Sequence, residues 1–85
     1  MTLAYRYNNA MDLDTYLTQV ETASSLSKRS GILQVLLSQW RKGVRPVPFD
    51  KCIILEKTTN GLVTRKDLRP EDWFVMWPEL SETEN

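Results

Sequence analysis

The sequence predicts an all-α domain, a bundle of about five short helices that contains a helix–turn–helix. Three observations support this prediction. Apolar residues recur every three or four positions over residues 13–20, which is the period of an amphipathic helix. Gly31 separates two helix-like segments and has a small residue, Ser27, four positions before it. The later segments are bounded by prolines or by Asn60-Gly61, which begin and end short helices.

The first helix follows Asp12, a residue type that often caps a helix N-terminus. Its apolar side consists of Leu13, Tyr16, Leu17 and Val20. Residues 1–10 precede it as an N-terminal arm, which contains strand formers and could be a short edge strand. Residues 81–85 are polar and acidic, and they are predicted to be a disordered tail. The domain itself is therefore expected to cover residues 11–80.

The next two helices are predicted at about residues 23–30 and 33–42. Ser27 is small enough for a close helix crossing, and Gly31 allows the left-handed backbone conformation that ends a helix. Leu37 and Trp40, three positions apart, form the inner side of the second of these helices. This arrangement is typical of a DNA-binding helix–turn–helix, although two packed helices of an ordinary bundle give a similar pattern.

A fourth helix is predicted from Pro48 to about Thr59. Its buried side is assigned to Phe49, Cys52, Ile53 and Leu55 or Ile54. Thr64 and Asp67 have the spacing of a capping box, which predicts a short helical turn. A last short helix is predicted to start at Pro70-Glu71-Asp72 and to stop before Pro78.

The composition excludes several classes of function. The chain has 85 residues, a length that makes one small domain. Its net charge is zero. It has no histidine and only one cysteine, Cys52, which excludes an internal disulfide and a tetrahedral zinc site. No phosphate-binding glycine loop and no nucleophile beside a base are present, so neither an enzyme nor a cofactor is expected. No apolar run is long enough to cross a membrane and no signal peptide is visible, so a cytoplasmic protein is predicted.

The charges are distributed unevenly despite the neutral total. Residues 22–49 contain no acidic side chain and carry Lys28, Arg29, Arg41, Lys42 and Arg45. Residues 67–85 are strongly acidic. A cationic block around a helix–turn–helix with an uncharged polar face indicates a protein that binds a polyanion such as DNA.

Four segments together resemble the Cro-like and YdaS-like prophage regulators. They are Met11 to Leu17, Leu37 to Gly43, Cys52 to Gly61 and Val63 to Pro70. The resemblance implies a lambda-repressor-like fold and binding to double-stranded operator DNA, and some members of the group are antitoxins. Two residues depart from the group's pattern, since Ser30 stands where leucine is usual and Leu33 stands where a Ser, Thr or Asp cap is usual. A missing cap typically costs ~1 kcal/mol.

The base-contacting residues are predicted at the start of the second motif helix, because that part of the motif enters the major groove. The candidates are Gln34, Val35, Ser38 and Gln39. A glutamine amide can pair with adenine through two hydrogen bonds, and valine can pack on a thymine methyl group. The phosphate candidates are Ser24, Ser25, Lys28, Arg29, Arg41, Lys42 and Arg45. Arg41 could instead form a structural ion pair.

The resemblance implies a homodimer on two half-sites. The candidate dimer or partner contacts are Trp73, Phe74 and Trp77, but Trp73 and Trp77 could instead pack on the fourth helix as core. Tyr5 and Tyr7 in the arm are a second dimer candidate. Two functions remain open, a sequence-specific repressor and an antitoxin that binds a toxin through its C-terminal segment. Neither reading requires a membrane or a small-molecule substrate.

Overall fold

Six short α-helices are present in residues 11–80, the part of the chain that the computed structural model describes. They are α1 (Leu13–Gln19), α2 (Ala23–Ser30), α3 (Gln34–Arg41), α4 (Phe49–Thr58), α5 (Arg65–Leu68) and α6 (Trp73–Met76). No strand occurs in these residues, which confirms the predicted all-α fold with its helix–turn–helix. The predicted arm, with Tyr5 and Tyr7, and the predicted tail lie outside the described residues.

Side-chain caps fix the beginnings of the first two helices. The carboxylate of Asp12 accepts a hydrogen bond from the Thr15 N–H at 2.8 Å, as the sequence predicts. This bond lowers the pKa of Asp12. The Thr22 hydroxyl accepts from the Ser25 N–H at 3.1 Å in the same way. Both helices therefore start where the local residue types favour a start.

The turn between α2 and α3 is held by two serines around Gly31. Gly31 has φ +77°, the left-handed conformation that the sequence predicts. The Ser27 hydroxyl donates to the Ile32 carbonyl, and the Ile32 N–H donates to the Ser30 hydroxyl at 3.2 Å. Both backbone groups of Ile32 are thus satisfied while its side chain is buried. Ser30 therefore contributes a hydrogen bond where leucine would contribute packing.

The core lies between α1, α2, α3 and α4. Its completely buried members are Leu26, Leu37, Cys52, Leu55 and Val63. Trp40 is buried on the inner side of α3 together with Leu37, as predicted. No helix in residues 11–80 is long and apolar enough to span a membrane.

Two apolar residues that the sequence assigns to the interior are exposed. Val20 is 49% exposed because it forms the C-cap of α1, where the chain leaves the helix. Ile53 is 38% exposed because Cys52 and Leu55, three positions apart, define the buried side of α4. The prediction of burial was wrong for both residues.

The C-terminal segment packs on α4. Thr64 and Asp67 form the predicted capping box at the start of α5. The next helix starts at Trp73 rather than at Pro70-Glu71-Asp72, because Asp72 is its N-cap residue and has a non-helical backbone (φ −144°, ψ 12°). The Asp72 carboxylate pairs with Arg69 at 2.7 Å. Trp77 is buried and makes an edge-to-face contact with Phe49, with ring centroids 5.4 Å apart. The guanidinium of Arg69 also donates to the Val47 carbonyl at 2.7 Å, which fixes the loop after α3.

Candidate nucleic-acid interface

The start and outer side of α3 present uncharged side chains. Gln34 and Val35 are exposed, while Ser38 and Gln39 are half-buried. Within residues 11–80, the side-chain polar atoms of Gln34, Ser38 and Gln39 have no hydrogen-bond partner in another side chain or in the backbone. Because Leu37 and Trp40 occupy the inner side of the same helix, these polar groups remain available to a ligand.

The seven predicted phosphate contacts fall into two groups. Ser24, Lys28, Lys42 and Arg45 are exposed, and the three cations form no ion pair with any described residue. Ser25, Arg29 and Arg41 are instead bonded to side chains of α1 or of the residues that follow it. The cationic surface of the helix–turn–helix is therefore smaller than its composition suggests.

Arg41 ties the end of α3 to α1. Its Nε donates to the Asp14 carboxylate at 2.8 Å, and its Nη2 donates to the Thr18 hydroxyl at 3.0 Å. The structural ion pair that the sequence left open is thus present. It joins residues that are far apart in the chain, and it contributes to the position of α3 relative to α1.

Glu21, which follows α1, binds Arg29 near the end of α2 and so connects these two helices. Its side chain is only 10% exposed, and its carboxylate accepts from both Nε and Nη2 of Arg29, at 2.8 and 2.7 Å. The hydroxyls of Tyr16 and Ser25 donate to it at 2.7 and 2.6 Å. These bonds, above all those from Arg29, lower the pKa of Glu21 to about 2. Burial and the bond to Glu21 raise the pKa of Tyr16.

Sequence reasoning missed Glu21 and Asp14 as partners of the cationic block. One signal was available. A segment with five cations and no acid has its nearest counter-ions outside itself, and the residues before it, 12–21, contain three acids. The sequence does not indicate which of the five cations these acids bind, because the pairing depends on how α1 packs across the other helices.

The Glu21 network makes a prediction about pH. A carboxylate whose pKa is depressed in the folded state adds stability above its unfolded pKa, and this stability is lost as the pH falls through the folded pKa. For Glu21 the window runs from about 4.5 down to about 2. We therefore expect Glu21→Gln to be less stable than the wild type at pH 7, with a difference that shrinks as the pH falls through this window.

Urea denaturation at a series of pH values, followed by tryptophan fluorescence, measures this difference. Asp14→Asn is a suitable control, because Asp14 also pairs with an arginine but is mostly exposed. Its stability difference is expected to be small at every pH. A Glu21→Gln difference that stays constant between pH 7 and pH 2 would contradict the role assigned to the carboxylate.

The C-terminal partner candidates occupy different environments. Trp77 lies in the core, as one of the two predicted alternatives requires. Trp73 is half-buried, and the Lys66 ammonium lies 4.5 Å from the centre of its ring. Phe74 is 50% exposed and is followed by Val75 and Met76, which are also exposed. The exposed apolar surface of the C-terminal segment therefore consists of Phe74, Val75 and Met76.

The single cysteine offers no reactive site. Cys52 is completely buried, and burial raises the pKa of its thiol to about 11. Within residues 11–80, no cluster of three or more Cys, Asp or Glu side chains could hold a metal ion.

Two comparisons with known proteins identify relatives of this chain. Residues 14–76 match the model of a family described as "Bacterial toxin YdaS". The chain is also similar to a protein of Escherichia coli (strain K12) named "Putative transcriptional regulator YdaS", with 37% identity over 54 residues. That match covers 62% of this chain and 55% of the relative, so the chain spans about half the length of the curated relative. Because the family model covers well over half of the sequence, the chain belongs to the YdaS family.

Proposed function

We propose that this protein is a sequence-specific double-stranded DNA-binding transcriptional regulator, a Cro-like repressor of a prophage-type switch, that acts by binding rather than by catalysis. One observation carries the proposal. Helix α3 presents unpaired uncharged groups on Gln34, Ser38 and Gln39, and unpaired cations occur on both sides of it in the chain. The name of the Escherichia coli relative, a transcriptional regulator, supports the same reading.

The proposed mode of binding places α3 in the major groove. Gln34 pairs with an adenine, Val35 packs on a thymine methyl, and Ser38 and Gln39 reach neighbouring bases. Ser24, Lys28, Lys42 and Arg45 contact phosphates on either side. One domain of this size reads only a few base pairs, so two copies bind adjacent half-sites as a homodimer.

The proposal is tested by selecting binding sites from a random DNA pool and measuring affinity by fluorescence anisotropy at several salt concentrations. Three unpaired cations on each of two copies neutralise about six phosphates, so log K should fall against log salt with a slope of about −5. Equal affinity for selected and random DNA, or a slope near zero, would contradict the proposal.

A charge reversal on each of two surfaces provides the matched pair of variants. Lys42→Glu removes a cation next to α3, and Lys57→Glu makes the same change on α4, where the lysine is also exposed. We expect the first variant to lose affinity and a measurable part of the salt slope. The second is expected to bind nearly as well as the wild type, apart from the long-range effect of its charge.

A second candidate function is that of an antitoxin-type protein that binds a partner toxin through its C-terminal segment. The exposed apolar side chains of Phe74, Val75 and Met76 favour it, because adjacent exposed apolar residues often mark protein contacts. The family description, in contrast, names a toxin rather than an antitoxin. Expression of the chain alone and together with the product of the adjacent gene distinguishes these roles. If the protein is an antitoxin, its expression alone leaves growth unaffected, and its co-expression restores the growth that the product of the adjacent gene inhibits.

The substitution Phe74→Ser separates partner binding from DNA binding. Phe74 is half exposed and lies away from α3 in the chain, so the variant should keep the monomer fold. If α6 binds a toxin, the variant loses protection but still binds DNA as a dimer. If α6 is the dimer surface, sedimentation shows a monomer and DNA affinity falls.

A further inference from the structure

Leu33 occupies the N-cap of α3 without serving as a cap. Its backbone has φ −58° and ψ 137°, and its side chain makes no capping hydrogen bond. Leucine is among the least favourable N-cap residues because it cannot accept a bond from the first N–H groups of the helix. In α1, α2 and α5 the same position holds Asp12, Thr22 and Thr64, each with a capping bond. The helix at the centre of the proposed interface therefore begins with a residue that does not favour its formation.

The leucine side chain has no other structural role in the described part of the molecule. It is 66% exposed, whereas its neighbour Ile32 is buried in the core. An exposed leucine at a position where folding favours a polar cap indicates a function outside folding. Val35, two positions later, is 58% exposed, so Leu33 and Val35 place apolar groups on either side of Gln34 in the chain.

We propose that Leu33 is a specificity-determining residue that contacts the 5-methyl group of a thymine in the major groove. This inference rests on the proposed DNA-binding function. The first residues of a recognition helix lie closest to the base edges. The thymine methyl is the apolar group that bases present in this groove, and a leucine side chain can contact it but cannot hydrogen-bond to the other base edges. The cations Lys28 and Lys42, which precede and follow α3, supply the attraction for the duplex backbone.

The test combines one protein variant with one DNA change. The DNA is a site selected by the wild-type protein, and each thymine in turn is replaced by uracil, which lacks only the methyl group. For one thymine we expect the wild type to lose about fourfold in affinity, the effect of one buried methyl-sized group. Leu33→Ser is expected to bind the unmodified site about fourfold more weakly than the wild type does. Its affinity should fall no further when that thymine becomes uracil. This non-additivity is the signature of direct contact.

Thermal stability is expected to change in the direction opposite to DNA affinity in the Leu33→Ser variant. Leu33→Ser restores a capping side chain, so Tm is expected to rise by about 4–8 °C while DNA affinity falls. A variant that is more stable yet binds more weakly cannot owe its weaker binding to unfolding. Val35→Ser is the control, because the proposed mode of binding places Val35 on another thymine methyl, and its non-additivity should therefore appear at a different thymine.

Three results would overturn the inference, and they are distinguishable. Losses that add at every thymine, or a Leu33→Ser variant that binds the selected site as well as the wild type, would overturn the assignment of Leu33 alone. A wild type that selects no sequence at all would overturn the proposed function together with it.

Discussion

Replacing Leu37 with alanine is expected to lower the free energy of unfolding by about 2–5 kcal/mol, the range for truncating a buried leucine. Leu37 is completely buried on the inner side of α3. The loss combines the removed apolar contacts with the cost of the cavity that remains. A domain of this length has a total stability of roughly 4–13 kcal/mol, at about 0.05–0.15 kcal/mol per residue. The substitution therefore removes a large part of it.

Urea denaturation followed by tryptophan fluorescence measures the effect, since Trp40 and Trp77 are both buried. Leu33→Ala is the matched control, because it makes the same chemical change four positions earlier, at a residue that is 66% exposed. Its effect on stability is expected to stay within about 0.5 kcal/mol, as for other surface substitutions. Equal destabilisation by both variants would show that α3 is not packed with Leu37 inward.

Replacing Gln34 with alanine is expected to abolish discrimination at one base pair of the selected site. A glutamine that makes two hydrogen bonds to adenine contributes about 1–3 kcal/mol of discrimination against other bases, roughly 5- to 150-fold in affinity. Gln34 is exposed at the start of α3, and its amide has no partner in the described part of the chain. The variant should therefore fold normally and bind all four bases at that position with similar affinity.

Anisotropy measurements against a panel of sites, each with one base pair changed, give the result. Gln19→Ala is the control, because Gln19 is also exposed on a helix but lies in α1, outside the helix–turn–helix. Its affinity and base preferences should match those of the wild type. If Gln34→Ala keeps the wild-type base preference at every position, Gln34 is not a base contact.

Features that depend on neighbouring residues were predictable from the sequence. The cap at Asp12, the left-handed Gly31 and the capping box at Thr64 all act within a few positions of the chain, and all three are present. The four longer helices lie within about two residues of their predicted bounds. The inward side of α3 was also predictable, because Leu37 and Trp40 have helical spacing.

Features that depend on packing between helices were not predictable. Composition gives Arg29 and Arg41 the same role as Lys42, yet both arginines are bound by carboxylates in or after α1. Periodicity makes Ile53 as suitable for the interior as Cys52, and only the position of α4 in the bundle separates them. The start of α6 was missed for a local reason, since the backbone of Asp72 is not helical although its residue type suits a first helical turn.

Two contacts described above are expected to form at different stages of folding. One is the Ser27 bond in the turn between α2 and α3, and the other is the Arg69 bond to the loop after α3. The Ser27 bond closes over 5 residues, whereas the bond from Arg69 to the Val47 carbonyl closes over 22. Closing a longer segment costs more chain entropy, so long-range contacts tend to form later in folding. We therefore expect the contact between α2 and α3 to form earlier in folding than the contact that fixes Val47 and the loop around it.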